Sequence, residues 1–170
     1  MVTTCLVWAT TTSAWSDRVH IEYKTVSQKD ARLARSLSLF VPKGEPASSF
    51  LYAGPFDAKL TSMLRIHARQ DVIFELRGNG SAELQINGQK ILDALETPST
   101  PVTLSEGKHD VKILFRSKRD EAASLRVFWK TDAFDFEPIP SSALTKPEIT
   151  LDQTLRTARN TIAQQKCIAC

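Results

Sequence analysis

The chain has 170 residues, 42% of them hydrophobic and 24% charged, with eight prolines and six glycines. That balance excludes collagen-like, coiled-coil and wholly disordered classes, and one domain with a short appendage can bury a core at this length without disulfide staples. The 22 basic and 19 acidic residues leave a net charge of +3, scattered too evenly to argue for nucleic acid, and no apolar run reaches the roughly 18 residues of a membrane-spanning helix.

Residues 1–16 carry no charge and are rich in Thr, Ala and Trp. They read as the apolar core and small-residue end of a clipped secretory signal, cut near Ala14 or Ser16, which would remove Cys5 with it. No Lys or Arg precedes the apolar part, so an ordinary strand-forming or disordered N-terminus is the alternative.

From Arg18 onward the dominant period is two, the signature of strands. Val19, Ile21 and Tyr23 alternate with His20, Glu22 and Lys24. Leu37, Leu39 and Val41 alternate with Ser36, Ser38 and Phe40, until Pro42-Lys43-Gly44-Glu45-Pro46 breaks the strand. Leu64, Ile66 and Ala68 alternate with Arg65, His67 and Arg69, and Val72, Phe74 and Leu76 lead to a turn at Gly78-Asn79-Gly80. Ala82, Leu84 and Ile86 run into Asn87-Gly88, a dipeptide that tolerates the positive φ angles of a type I′ turn, so this strand is expected to fold back on residues 89–92 as a hairpin. Val102 and Leu104, then Val111, Ile113 and Phe115, then Leu125, Val127 and Trp129 complete the series. Eight or nine short strands without intervening helices predict a mainly β protein, an antiparallel β-sandwich whose strands each turn one apolar face to a shared core.

The texture changes after Trp129. Residues 132–147, rich in Pro, Ser and Phe, read as a strap followed by a linker. Thr150 and Gln153 form a capping box, and Leu151, Leu155, Ala158 and Ile162 share one face of a short C-terminal helix running to about Lys166. The helix delivers the chain to Cys167 and Cys170, a C-x-x-C pair. Such a pair can be half of a zinc site, a thioredoxin-like redox pair, a disulfide, two incidental thiols, or the thioether anchor of a c-type haem when His follows. A zinc site lacks its second pair here, and a redox pair would open a helix rather than end one.

Little in the chain argues for catalysis. No Gly-x-Ser-x-Gly elbow, Gly-rich phosphate loop or paired carboxylates are present, and no catalytic residue is expected. Asp57, Asp93 and Asp110 are turn or strand-edge residues, and the cluster Arg116, Lys118 and Arg119 runs at once into Asp120 and Glu121, as a solvated turn does. His20 and His67 fall on the polar phase of their strands and are expected to be solvated. Trp129 closes an alternating strand as a core plug, with a sugar platform as the minor alternative. A sugar site needs exposed aromatic faces beside polar groups on one loop edge, and Phe50, Tyr52 and Phe134 are the candidates.

Taken in order, several segments resemble the protective-antigen-type β-sandwich module, named from the anthrax toxin component. The residues that carry the resemblance are Phe50-Leu51-Tyr52-Ala53-Gly54-Pro55-Phe56, Asp71-Val72-Ile73-Phe74-Glu75-Leu76, Ala82-Glu83-Leu84-Gln85-Ile86-Asn87-Gly88, Val102-Thr103-Leu104-Ser105-Glu106-Gly107-Lys108-His109, Leu125-Arg126-Val127-Phe128-Trp129 and Ile139-Pro140-Ser141-Ser142-Ala143-Leu144. The resemblance covers roughly residues 18–144, and the expected sandwich domain is 17–144. The resemblance implies a module of carbohydrate-binding type and places His109 as a turn histidine whose ring bonds the loop. Some members hold calcium with adjacent aspartates; Asp132 and Asp135 merely flank Phe134, so that role is not carried over and no metal is expected.

Residues 145–170 resemble the linker and helix that open a c-type cytochrome domain. There Cys167 and Cys170 would take the thioether positions of haem c, with the axial histidine falling beyond the chain. The combination implies an exported bacterial protein, periplasmic or on the cell surface, concerned with electron transfer. In it the sandwich is a non-catalytic module that binds or positions a glycan or protein ligand; the competing expectation is a structural spacer with no ligand of its own.

Overall fold

The computed structural model describes residues 18–147. In chain order the strands are β1 (Val19–Lys24), β2 (Lys29–Ala34), β3 (Ser38–Val41), β4 (Asp57–Ile66), β5 (Gln70–Asn79), β6 (Ser81–Ile86), β7 (Gln89–Leu92), β8 (Val102–Leu104), β9 (Gly107–Arg116), β10 (Ala123–Thr131), β11 (Phe134–Pro138) and β12 (Leu144–Thr145), with one turn of 3-10 helix at Ser141–Ala143. A seven-stranded sheet runs β2-β1-β4-β9-β6-β7, with β12 added to β4. A five-stranded sheet runs β11-β10-β5-β8, with β3 added to β10. The pairings are antiparallel, so the sandwich expected from the alternation is the fold observed.

The apolar phase of each alternating strand is the buried one. Leu60 and Leu64 of β4, Ile113 of β9 and Leu84 of β6 meet Phe74 and Leu76 of β5 and Val127 of β10 in one continuous core. Phe56 packs edge-on to Tyr23 at 5.8 Å and tilted on Phe115 at 6.0 Å, sealing one end. Asn87 and Gly88 have φ of 51° and 79°, the type I′ geometry expected of the β6–β7 hairpin. Trp129 is buried, as a core plug should be, and its indole N–H donates to Glu137 at 3.3 Å.

Three strands were not foreseen. Strand β2 has Leu33 as its one large apolar side chain, and β11 and β12 lie in the segment expected as strap and linker. That segment crosses from the five-stranded sheet to the seven-stranded one. Ile139, Ala143 and Leu144 are buried, and Arg18 Nη1 donates to the carbonyls of Ser141 at 2.6 Å and Leu144 at 2.8 Å. Nor is Gly78-Asn79-Gly80 a simple turn. Strand β5 runs on to Asn79, β6 starts at Ser81, and the chain changes sheets at Gly80.

His20 corrects another expectation. It is only 3% exposed, although it lies on the polar phase of β1, with Glu22 at 3.5 Å. Strand β1 is interior to its sheet, so His20 is flanked by Leu33 on one side and Thr61 on the other. The signal-like residues 1–16, the helix expected over 150–166, and Cys167 and Cys170 lie outside the described residues.

Candidate ligand-binding groove

Strand β10 presents Ser124, Arg126, Phe128 and Lys130 on the face opposite its buried Leu125, Val127 and Trp129. The register sets its neighbours. Phe40 and Ser38 of β3 stand beside Ser124 and Arg126 on one side, and Arg77 of β5 stands beside Arg126 on the other. Arg32 of β2 and Arg35 of the β2–β3 crossover approach where the chain leaves one sheet for the other. Together they line an open groove of about 780 Å³ that holds four arginines and no acidic residue. That volume is within the range of small-molecule sites.

Two of those arginines are partners on adjacent strands: Arg77 faces Arg126 across the β5–β10 ladder. Like charges in that relation repel. Arg77 is held in place by other contacts. Its Nε and Nη2 donate to the two oxygens of Glu75 at 2.7 and 2.9 Å, and its guanidinium lies over the Phe128 ring at 4.0 Å. The Glu75 carboxylate keeps the Arg77 guanidinium charged even above its ordinary range. The fork consumes one edge of the guanidinium and leaves Nη1 without a hydrogen bond among the described residues. Arg126 is exposed and has no ion-pair partner among the described residues. Arg32 lies 5.4 Å from the Tyr23 ring.

Hydroxyls and an open ring complete the lining. Phe40 is 67% exposed, though it sits on an ordered strand. The Ser36 and Ser38 hydroxyls are 2.8 Å apart, and Ser124 Oγ accepts the Asn79 N–H at 3.1 Å, which leaves its own proton free to donate.

The aromatic residues singled out from the sequence are not gathered here. Tyr52 is 76% exposed and its N–H donates at 2.7 Å to Oε1 of Gln28 in the β1–β2 turn, which also carries the wholly exposed Val26. Phe50 is half-buried in the same β3–β4 loop. That loop follows Val41, the partner of Ala123 at the start of β10, whereas Phe134 pairs with Thr131 at its end. Phe134 therefore stands at the opposite end of the sandwich, half-buried against Trp129 at 5.2 Å.

The remaining polar candidates are engaged in structure. His109 is buried; its Nδ1 meets the Asn87 amide nitrogen at 2.9 Å and its Nε2 the Ser105 carbonyl at 2.8 Å, which is the loop-bonding role anticipated for it. His67 is exposed, as expected. Asp135 accepts the Phe136 N–H at 2.8 Å and pairs with Lys130 at 3.0 Å, and these contacts hold its carboxyl below the usual range. Among the described residues no three His, Cys, Asp or Glu side chains are grouped to hold a metal, and no helix is long and apolar enough to cross a membrane.

The groove residues escaped the sequence reading, yet one signal was there. Phe40 and Phe128 fall on the polar phase of strands whose other outward positions are Ser or a charged residue. Nothing in the sequence brings residues 32, 77 and 126 together without the strand register.

No family model and no curated protein sequence matches the chain. Solved structures do match. An anti-sigma factor domain-containing protein from Clostridium clariflavum is similar with a TM-score of 0.64 at 17% identity, over 77% of this chain and 48% of that one. A second anti-sigma factor domain-containing protein gives 0.68 at 19% identity, over 80% and 50%. The chain thus spans about half the length of these two. The PA14 sugar-binding domain from an RTX adhesin gives 0.63 at 16% identity, over 77% of this chain and 99% of that domain. The described residues therefore have the fold of a PA14-type, protective-antigen-like β-sandwich.

Proposed function

We propose that the sandwich is a non-catalytic binding module whose ligand is a carbohydrate, held in the groove on the outer face of the five-stranded sheet. One observation carries the reading: the Phe40 ring stays 67% exposed on an ordered strand, beside the hydroxyls of Ser36, Ser38 and Ser124. A flat apolar ring flanked by hydroxyl and guanidinium donors suits a pyranose, whose faces are apolar and whose rim is a ring of hydroxyls. The fold shared with a sugar-binding domain supports it. A second reading seats the ligand on the loop edge of Phe50 and Tyr52, favoured by the 76% exposure of Tyr52.

Calorimetric titration of the full chain with neutral and acidic oligosaccharides decides between them. Binding that weakens about tenfold or more in Phe40→Ala supports the groove, that factor being about 1.4 kcal/mol of lost stacking and desolvation. Binding lost in Tyr52→Ala but not in Phe40→Ala moves the site to the loop edge. No binding of any glycan leaves the spacer role.

The wider setting proposed is an exported bacterial protein, periplasmic or on the cell surface, in which the module positions its ligand near a haem c domain used for electron transfer. Cys167 and Cys170 supply both thioether positions, and a His codon directly after that of Cys170 is the required observation. Any other codon removes the haem.

A further inference from the structure

We infer that the groove selects an acidic oligosaccharide, one bearing carboxylates or sulfates, over a neutral one. The inference rests on the groove being the glycan site and names the class of glycan. Arg32, Arg35, Arg77 and Arg126 line the groove, with the Glu75 carboxylate paired to Arg77 beside it, in a chain whose net charge is only +3. The chain therefore concentrates in one place what the sequence scatters.

The arrangement is built to receive an anion. Arg77 and Arg126 stand opposite each other on one ladder, a repulsive pairing that a bound anion between them would relieve. Arg77 is fixed in orientation by Glu75 and Phe128, so its remaining Nη1 edge is presented without further loss of side-chain freedom. Arg126 keeps its whole fork, and the planar fork matches the two oxygens of a carboxylate or sulfate.

Other polyanions fit less well. A nucleic acid needs a basic track along several phosphates. Here the basic lining is local, and Glu96 and Asp135 act on Arg77 from nearby. An acidic peptide would use the guanidinium groups but has no use for an open aromatic face edged by three serine hydroxyls. A sugar chain with intermittent charges uses both.

The test compares affinities of the full chain for oligogalacturonate, heparin-derived oligosaccharides and neutral cello-oligosaccharides, with poly-glutamate and a single-stranded oligonucleotide as rival polyanions. The inference requires an acidic oligosaccharide to bind more tightly than the neutral one and less tightly at higher ionic strength. It also requires Arg126→Ala to weaken that binding about tenfold or more, as loss of a charge-assisted bidentate contact does. Arg126→Lys should recover only part, because it restores charge without the fork. Whichever of oligogalacturonate and heparin oligosaccharide binds more tightly tells carboxylate from sulfate. Arg126 is exposed, and an unchanged melting temperature in the variants shows that the fold survives. Equal affinity for neutral and acidic glycans, sensitive to Phe40→Ala but not to Arg126→Ala, overturns the inference and leaves the groove as a glycan site. Tighter binding of poly-glutamate or the oligonucleotide overturns it in favour of that polymer. Absence of all glycan binding removes both.

Discussion

His109 and Asn87 show how much one pair of side chains can organise in this fold. Asn87 sits at φ 51° in a two-residue turn, and its Oδ1 accepts the Asp110 N–H at 2.9 Å. That leaves its amide nitrogen to donate to His109 Nδ1, so His109 carries its proton on Nε2 and donates it to the Ser105 carbonyl. The two residues tie the β6–β7 turn to the turn before β9. His109→Ala should lower stability by about 1–3 kcal/mol, the range for leaving buried polar partners unpaired, read as a lower urea midpoint at unchanged slope. A midpoint within error of the parent would mean that the clamp is idle. The sequence placed His109 in a turn and the family resemblance gave it a bonding role, but its partner Asn87 lies 22 residues away and becomes visible only through the hairpin.

Among the elements, what the sequence revealed follows burial. The strands with a fully alternating apolar face, such as β9 and β10, were legible because two sheets bury that face. Strand β2 was not: it is an edge strand with one large apolar side chain, Leu33, and no buried stripe imposes a period on it. The first half of β4 was hidden because Ser62 takes an inward position, where its hydroxyl donates to the Arg18 carbonyl at 2.9 Å and stands in for an apolar side chain. The passage between sheets at the end of β5 makes a sharper demand. Gly78 has φ +149° and pairs with Leu125, and a Cβ on it would run into the Ser124 carbonyl oxygen of β10. Gly78→Ala should therefore cost about 3 kcal/mol or more by thermal or urea denaturation, combining backbone strain with overpacking. It should also distort the groove wall, since Gly78 is part of it. A loss below about 1 kcal/mol would mean that the two strands part easily there.

At the scale of the molecule, the two sheets make the core and the outer face of one of them carries the proposed site. The core was readable from period two. The groove was not, because residues from β3, β5 and β10 share one face, with β2 of the other sheet at its edge, only after the strands have paired. The aromatic candidates found by composition, Phe50, Tyr52 and Phe134, are divided between the two ends of the sandwich, so they cannot act as one platform. The central claim is that the ligand lies on the outer face of the five-stranded sheet. The most direct measurement is a backbone amide chemical-shift map of the labelled chain titrated with oligogalacturonate, heparin-derived and cello-oligosaccharides in turn. The account predicts shifts confined to β3, the Arg77–Gly78 stretch of β5 and the Ser124–Phe128 stretch of β10. Shifts centred instead on Phe50 and Tyr52, or no shifts with any of the three, would contradict it.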